Sequence, residues 1–317
     1  MTEADWHTRI TQDLATIRTD HEHGASYLAQ FALALLAYCG DLPQIAQISE
    51  AETVATLQEV CRTMAQARPS MASFAHIASR VLATLYTSAT PLVAAHATIQ
   101  ELQGNLMAAP IRIAARLGAL LPPSARIVTL SRSETVLRVL TARAHHLGSV
   151  TVLESRPGGE GAVVARELTG QWHTHTPPIP ITLMADAAMM LAVADATCCV
   201  VGADALLAEG FAVNKVGIHP LALAARAAHI PCYVLAETTK IAPRSWPWSA
   251  EHFDPALILP DPPPGMTVDA TVFERVPLAL VTLITEMGIL PGEQIAAMAA
   301  ELDEGYAEVA GHAPLLP

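Results

Sequence analysis

The sequence predicts an α/β protein: an N-terminal helical domain at residues 1–122, then a Rossmann-like domain at 123–317 built on a doubly wound parallel sheet. Three features predict it. Up to about residue 120, apolar side chains recur at helical spacing. From residue 126, short β-branched runs alternate with helical segments. Between the two patterns stands "LPPSA" at 121–125, which suits a domain boundary.

The helical elements come in order. "GASYLAQFALALLAYC" has an apolar stripe around a few polar positions. "PQIAQISEAETVATLQEVCRTMAQA" places Pro43 where a first helical turn tolerates it. "MASFAHIASRVLATLY" and "PLVAAHATIQELQGNLMAAPIRIAARLGALL" follow, and Pro110 is expected to kink or split the last. The strands then read "RIVTL", "SVTVLE", "ITLMA", "CCVVGAD" and "CYVLAE", with helical segments between. Strands apolar throughout indicate a parallel sheet covered on both faces, and right-handed crossovers make it doubly wound. "PRSWPWSAEHFDPALILPDPPPGMTVDA" reads as a long, irregular surface excursion in which Trp246 and Trp248 pack the loop. "LALVTLITEMGIL" returns as a last strand and turn, and "PGEQIAAMAAELDEGYAEV" is a terminal helix.

Composition narrows the function. Hydrophobic residues make up 52% of 317 residues and charged residues 15%, enough for a substantial core. Eighteen basic against thirty acidic side chains leave a net charge of -12, which argues against general nucleic-acid or membrane binding. An anion site must then be a local pocket of a few Arg and Lys residues. Five Cys with no CxxC pair support neither a disulfide framework nor a metal site. His173 and His175 in "QWHTHTPP" are spaced like a metal pair, but no acidic or thiol ligand clusters beside them, so a solvated loop is the simpler reading. No metal and no cofactor are expected. "MTEADWHTRI" is not a signal peptide, and no long apolar run is free of charge, so a cytoplasmic chain is expected.

Ligand sites in such sheets lie at the carboxyl ends of strands. Ser131 follows "IVTL"; Glu154, Ser155 and Arg156 follow "VTVL"; Asp186 follows "ITLMA"; Asp204 follows "CCVVG". All four loops open on one rim. Asp186 is expected to be a structural hydrogen-bond anchor.

Several segments together resemble the superfamily of the alpha, beta and delta subunits of translation initiation factor 2B, which also contains methylthioribose-1-phosphate isomerase and ribose-1,5-bisphosphate isomerase. They are "HGASYLA" at 23–29, "ARPSMASF" at 67–74, "ESRPGGEG" at 154–161, "GADALLAEGFAVNKVG" at 202–217, "FERVP" and "ITEMG". "SRSETVLRVL" is most similar to alpha-subunit-like prokaryotic members. The resemblance spans nearly the whole chain. It implies a phosphorylated small-molecule ligand, bound between the two domains, and a homodimer.

The resemblance also implies site residues. His23, Gly24 and Ala25 stand in the N-terminal motif. Arg68, Arg156 and Lys215, with Asn214, stand where the isomerases hold sugar phosphates. Two of these are guanidiniums, which suit a phosphate by geometry as well as charge. The glycines at 158, 159 and 161 let backbone approach an anion ahead of a helix. Asp204 corresponds to the isomerases' acid–base Asp, and it could equally cap a turn or hold Lys215. Glu154 and Glu160 flank the phosphate loop. Ser131, Arg132 and Ser133 open a helix, where Ser133 could be an N-cap, a phosphate contact or both.

Two departures bear on activity. Ser131 stands where the isomerases carry Cys, and a hydroxyl shuttles protons poorly without a strong base beside it. His23 stands where they carry Arg, replacing a fixed charge with one that titrates near neutrality. Two functions therefore remain open. One is a ligand-binding sensor of the initiation-factor type, taking a sugar phosphate or nucleoside monophosphate. The other is an aldose-1-phosphate to ketose-1-phosphate isomerase using Asp204 with Ser131, His23 or water.

Overall fold

The computed structural model describes residues 3–20, 23–173 and 178–310. His175 of the His173/His175 pair lies outside the described residues.

Six helices come first: α1 (Glu3–Thr19), α2 (Ala25–Gly40), the single turn α3 (Leu42–Ile45), α4 (Glu50–Ala65), α5 (Ala72–Thr87) and α6 (Pro91–Leu120). Helix α4 shows why such a segment starts where it does. The Ser49 hydroxyl accepts the Glu52 amide at 3.2 Å, Glu50 and Glu52 face the positive end of the helix, and Arg62 faces the negative end. Helix α5 is buried along most of its length, from Ala72 through Leu82, and forms the centre of the helical layer. Helix α6 runs through Pro110 unbroken. The ring forfeits one backbone hydrogen bond, but Leu106, Ala109 and Ile113 are all buried around it, and their packing holds the two halves together.

The α/β part contains β1 (Ala125–Thr129), α7 (Glu134–Arg143), β2 (Leu147–Leu153), α8 (Glu160–Trp172), β3 (Ile181–Met184), α9 (Met189–Ala194) and β4 (Cys198–Val201). It continues through β5 (Ala205–Leu207), β6 (Phe211–Lys215), α10 (Ile218–Ala227), β7 (Cys232–Leu235), β8 (Phe273–Pro277), β9 (Thr282–Ile284) and α11 (Gly292–Ala310). Six strands form one sheet in the order β3-β2-β1-β4-β7-β9, and every neighbouring pair is parallel. This is the expected doubly wound, Rossmann-like sheet. The chain starts in the middle at β1, works outward to β3, then returns to β4 and works outward the other way. All five Cys are buried; burial pushes the Cys39 and Cys198 thiols up to about 12, which leaves them inert.

Two features were not apparent from the sequence pattern. Strands β5, β6 and β8 form a second, antiparallel sheet in the order β5-β6-β8. Its Leu207, Val213 and Phe273 share the apolar core of the helical layer with Phe74 and Leu36. In addition, α11 packs against α5 and α4, so the last helix covers the helical layer. Gly305 permits this contact, since a Cβ there would lie 1.8 Å from the Ser79 carbonyl oxygen. Among the described residues no helix is long and apolar enough to cross a membrane.

Candidate functional site

Strands β1 and β4 are hydrogen-bonded neighbours at the centre of the large sheet, and the chain leaves them toward opposite edges. That is the topological switch point, where the loops diverge and leave a crevice. A cleft of about 290 Å³ lies there, closed on its other side by the start of α2 and the loop before α5. Ser131 enters from the loop after β1 and Asp204 from the loop after β4. Lys215 comes from the end of β6, Arg68 from the loop before α5, and His23, Gly24 and Ala25 from the approach to α2.

Asp204 is held by its backbone. Its amide donates to the Val213 carbonyl at 2.8 Å, and its carbonyl accepts the Ala72 amide at 3.2 Å. Among the described residues no side chain hydrogen-bonds to its carboxylate. Desolvation pushes the carboxyl up to about 6, against the pull of the Lys240 ammonium and, more weakly, of Arg68 and Lys215. Such a group exchanges a proton near neutrality.

The cations around it are buried and paired. Arg68 donates to Glu251 at 3.2 and 3.4 Å and to the Asp20 carbonyl at 2.7 Å. Lys215 lies 3.0 Å from Glu160, with its ammonium 5.0 Å from the centre of the Phe253 ring. Lys240 lies 3.1 Å from Glu237. Burial raises the Glu237 carboxyl, but Lys240 and the Thr135 hydroxyl outweigh it and hold the group below its usual range. Ser26 of α2 also donates to Glu237 at 3.2 Å, so this carboxylate joins the helical layer to the sheet.

Ser131 sits at φ +67, a strained conformation for a residue with a side chain. Its amide donates to the Ser155 hydroxyl at 2.7 Å and its hydroxyl donates to Glu160 at 3.0 Å. Ser133 caps α7 by accepting the Val136 amide at 3.4 Å. Arg132 pairs with Glu167 at 3.6 Å while still bordering the cleft. Asn214 lines the cleft too, but its amide donates to the Gly202 carbonyl at 2.8 Å and so braces β6 against the end of β4.

Two expected residues do not line this cleft. Asp186 accepts the Ser155 and Arg156 amides at 2.8 and 2.7 Å, as a structural anchor should. The loop is thereby fixed, and the Arg156 guanidinium turns to the Leu257 carbonyl beside a separate surface groove. Glu154 directly follows β2, its amide donates to the Met184 carbonyl, and it stays off the cleft wall. Gly161 of this loop has a packing role. A Cβ on Gly161 would lie 1.9 Å from the Leu153 carbonyl oxygen, so this glycine lets α8 start against the end of its own strand.

Lys240, Glu237 and Glu251 were missed. The signal for the first two was present: "AETTK" follows β7, on the same rim as the loops already singled out, with opposite charges three residues apart. Glu251 offered no signal, because its partner Arg68 is 183 residues away.

A six-stranded parallel, Rossmann-like sheet with a charged cleft of about 290 Å³ at its switch point defines the class as a doubly wound α/β protein. The sequence pattern of the Initiation factor 2 subunit family matches residues 21–292, and the chain belongs to that family. A methylthioribose-1-phosphate isomerase of Anaeromyxobacter dehalogenans is 30% identical over 86% of this chain and 81% of its own. A ribose 1,5-bisphosphate isomerase of Archaeoglobus fulgidus is 31% identical over 53% of this chain and 54% of its own. Among solved structures, a translation initiation factor eIF-2B of Pyrococcus horikoshii superposes with a TM-score of 0.72 at 27% identity, covering 90% of this chain and 98% of that one.

Proposed function

We propose that the chain is an aldose-1-phosphate to ketose-1-phosphate isomerase, with Asp204 as an acid–base group. The observation that carries this is the setting of Asp204: a carboxyl with no hydrogen-bonding partner among the described residues, pushed up to about 6 by burial, in a cleft flanked by Arg68, Lys215 and Lys240. A structural carboxylate would be paired, as Glu160, Glu237 and Glu251 are. The names of the isomerase relatives support the same chemistry. A sugar phosphorylated at C1 must open its ring before hydrogen can pass from C2 to C1, and the ring oxygen needs a proton to leave. Asp204 is protonated often enough to supply one. Arg68, Lys215 and Lys240 would hold the phosphate.

One observation favours a second reading, a ligand sensor. Each of the three buried cations already has a carboxylate partner. A phosphate must compete with these pairs, so binding would rearrange loops on both sides of the cleft. The experiment is a panel of aldose 1-phosphates read by thermal shift and by NMR for ketose product. A ligand that binds only the native state raises the melting temperature by mass action. Product formation abolished by Asp204→Asn supports the isomerase. Binding without product from any member of the panel overturns it in favour of the sensor. The homodimer belongs to the same proposal and is checked by light scattering.

A further inference from the structure

An isomerase that gives a proton to the ring oxygen must take one from the C2 hydroxyl. The cleft has few groups left to take it. The Ser131 hydroxyl is committed as a donor to Glu160. Glu160 is neutralised by Lys215, Lys240 by Glu237, and Arg68 by Glu251. Glu134, at the start of α7, pairs with Arg138 at 2.9 Å. Among the described residues, the remaining titratable group on the wall is His23.

His23 is built as half of a dyad. Its Nδ1 lies 2.8 Å from Oδ2 of Asp20, and its backbone amide donates to Oδ1 of the same carboxylate at 3.0 Å. An ionised carboxylate only accepts, so the Nδ1 position carries the hydrogen, and in the neutral ring Nε2 is the nitrogen left to accept a proton. Among the described residues nothing hydrogen-bonds to Nε2. The ring stacks on Tyr27, with centroids 4.1 Å apart, which fixes its plane. Asp20 is itself anchored: its amide donates to the Thr16 carbonyl at 3.0 Å, and its carbonyl accepts the buried Arg68 guanidinium at 2.7 Å. The dyad is therefore tied to the same Arg68 that borders the cleft.

We propose that His23 Nε2 is the proton acceptor of the isomerisation, with Asp20 as its positioning residue and Asp204 as the opposing proton donor. This rests on the isomerase reading above. The bond between C1 and the ring oxygen breaks as the Asp204 carboxyl passes its proton to that oxygen. Hydrogen then moves from C2 to C1 with its electron pair. The C2 hydroxyl proton goes to Nε2, and the C2–O bond becomes a carbonyl. One proton is given and one taken, carbon is oxidised at C2 and reduced at C1, and no outside oxidant is needed. Solvent returns the proton from the imidazolium to Asp204.

The test uses the full chain and whichever aldose 1-phosphate the wild type converts. His23→Gln should lower kcat by about 100-fold or more and leave KM within about threefold, with partial recovery in added imidazole. Asp20→Asn should cost about tenfold in kcat, and 15N spectra of the imidazole should lose the single Nδ1–H tautomer present in the wild type. His23 is substantially exposed, and melting curves check that both variants fold. If His23→Gln keeps kcat within about threefold while Asp204→Asn loses it, the isomerase reading stands and the role of His23 is overturned. A wild-type imidazole with its hydrogen on Nε2 also overturns it. If the wild type converts no member of the panel, both proposals fall together.

Discussion

Glu160 Oε1 lies 3.0 Å from the Lys215 ammonium and 3.0 Å from the Ser131 hydroxyl. One carboxylate oxygen thus ties the loop after β1 to the end of β6. Lys215 is almost wholly buried, 2% exposed, and its counter-charge is the more exposed Glu160 on the cleft wall. A ligand anion must displace Glu160 or bind beside it. Either way, the interaction that gathers the site also sets what a ligand must overcome.

The Asp204 carboxyl titrates higher in the folded chain, at about 6, than in an unfolded one. The folded state therefore binds the proton more tightly, and wild-type stability falls as pH rises from about 4 to 6, then levels off. Asp204→Asn removes that loss. The variant should match the wild type at pH 4 and exceed it at pH 8 by at most roughly 3 kcal/mol. Chemical denaturation at the two pH values measures this. An equal gap at both would show that the carboxyl is not displaced from its usual range.

Glu237 behaves oppositely. Its folded carboxyl titrates below the unfolded value, so the stability it supplies is present above the unfolded value and lost as pH falls through the folded one. Glu237→Gln leaves Lys240 buried without a counter-charge. The expected cost at pH 7 is about 3–5 kcal/mol, and the gap from wild type should close in acid. Melting curves across the acid range decide it.

Ser131 donates to a carboxylate that Lys215 already holds, so the structure gives its hydroxyl a bracing role. Ser131→Ala should lower kcat by less than about tenfold, well short of the loss expected for a group that moves a proton. Steady-state kinetics on any converted sugar phosphate checks it. A loss of about 1000-fold would move the proton transfer to Ser131 itself.

Gly161→Ala would force a methyl group to 1.9 Å from the Leu153 carbonyl oxygen. Backbone cannot yield there without moving α8 off β2. The variant should lose about 3 kcal/mol or more, or fail to fold. Ala162→Gly, one residue on, removes only a methyl group that is not fully buried and should cost about 1 kcal/mol. Comparing their melting temperatures separates close packing from helix propensity.

The sequence by itself determined the helical layer, the six strands of the parallel sheet (β1 through β4, β7 and β9), and the switch-point rim. Those follow from local periodicity: apolar side chains at helical spacing, and apolar runs of strand length bounded by turns. It also singled out Ser131 and Asp204 by their rim positions, and Lys215, Arg68 and His23 by the family resemblance, as candidate site residues, and the structure brings all five to one cleft. Tertiary structure alone decided three things. It paired β6 with β8, whose partners lie about 60 residues apart, as Asn214 and Glu274 do. It bound the Arg156 guanidinium to the Leu257 carbonyl. And it brought carboxylates from distant parts of the chain to two of the buried cations, Glu251 to Arg68 and Glu160 to Lys215. Local pattern reports which residues can form an element, whereas charge pairing and side-chain direction depend on what the fold brings within a few ångströms, and no run of consecutive residues encodes that distance.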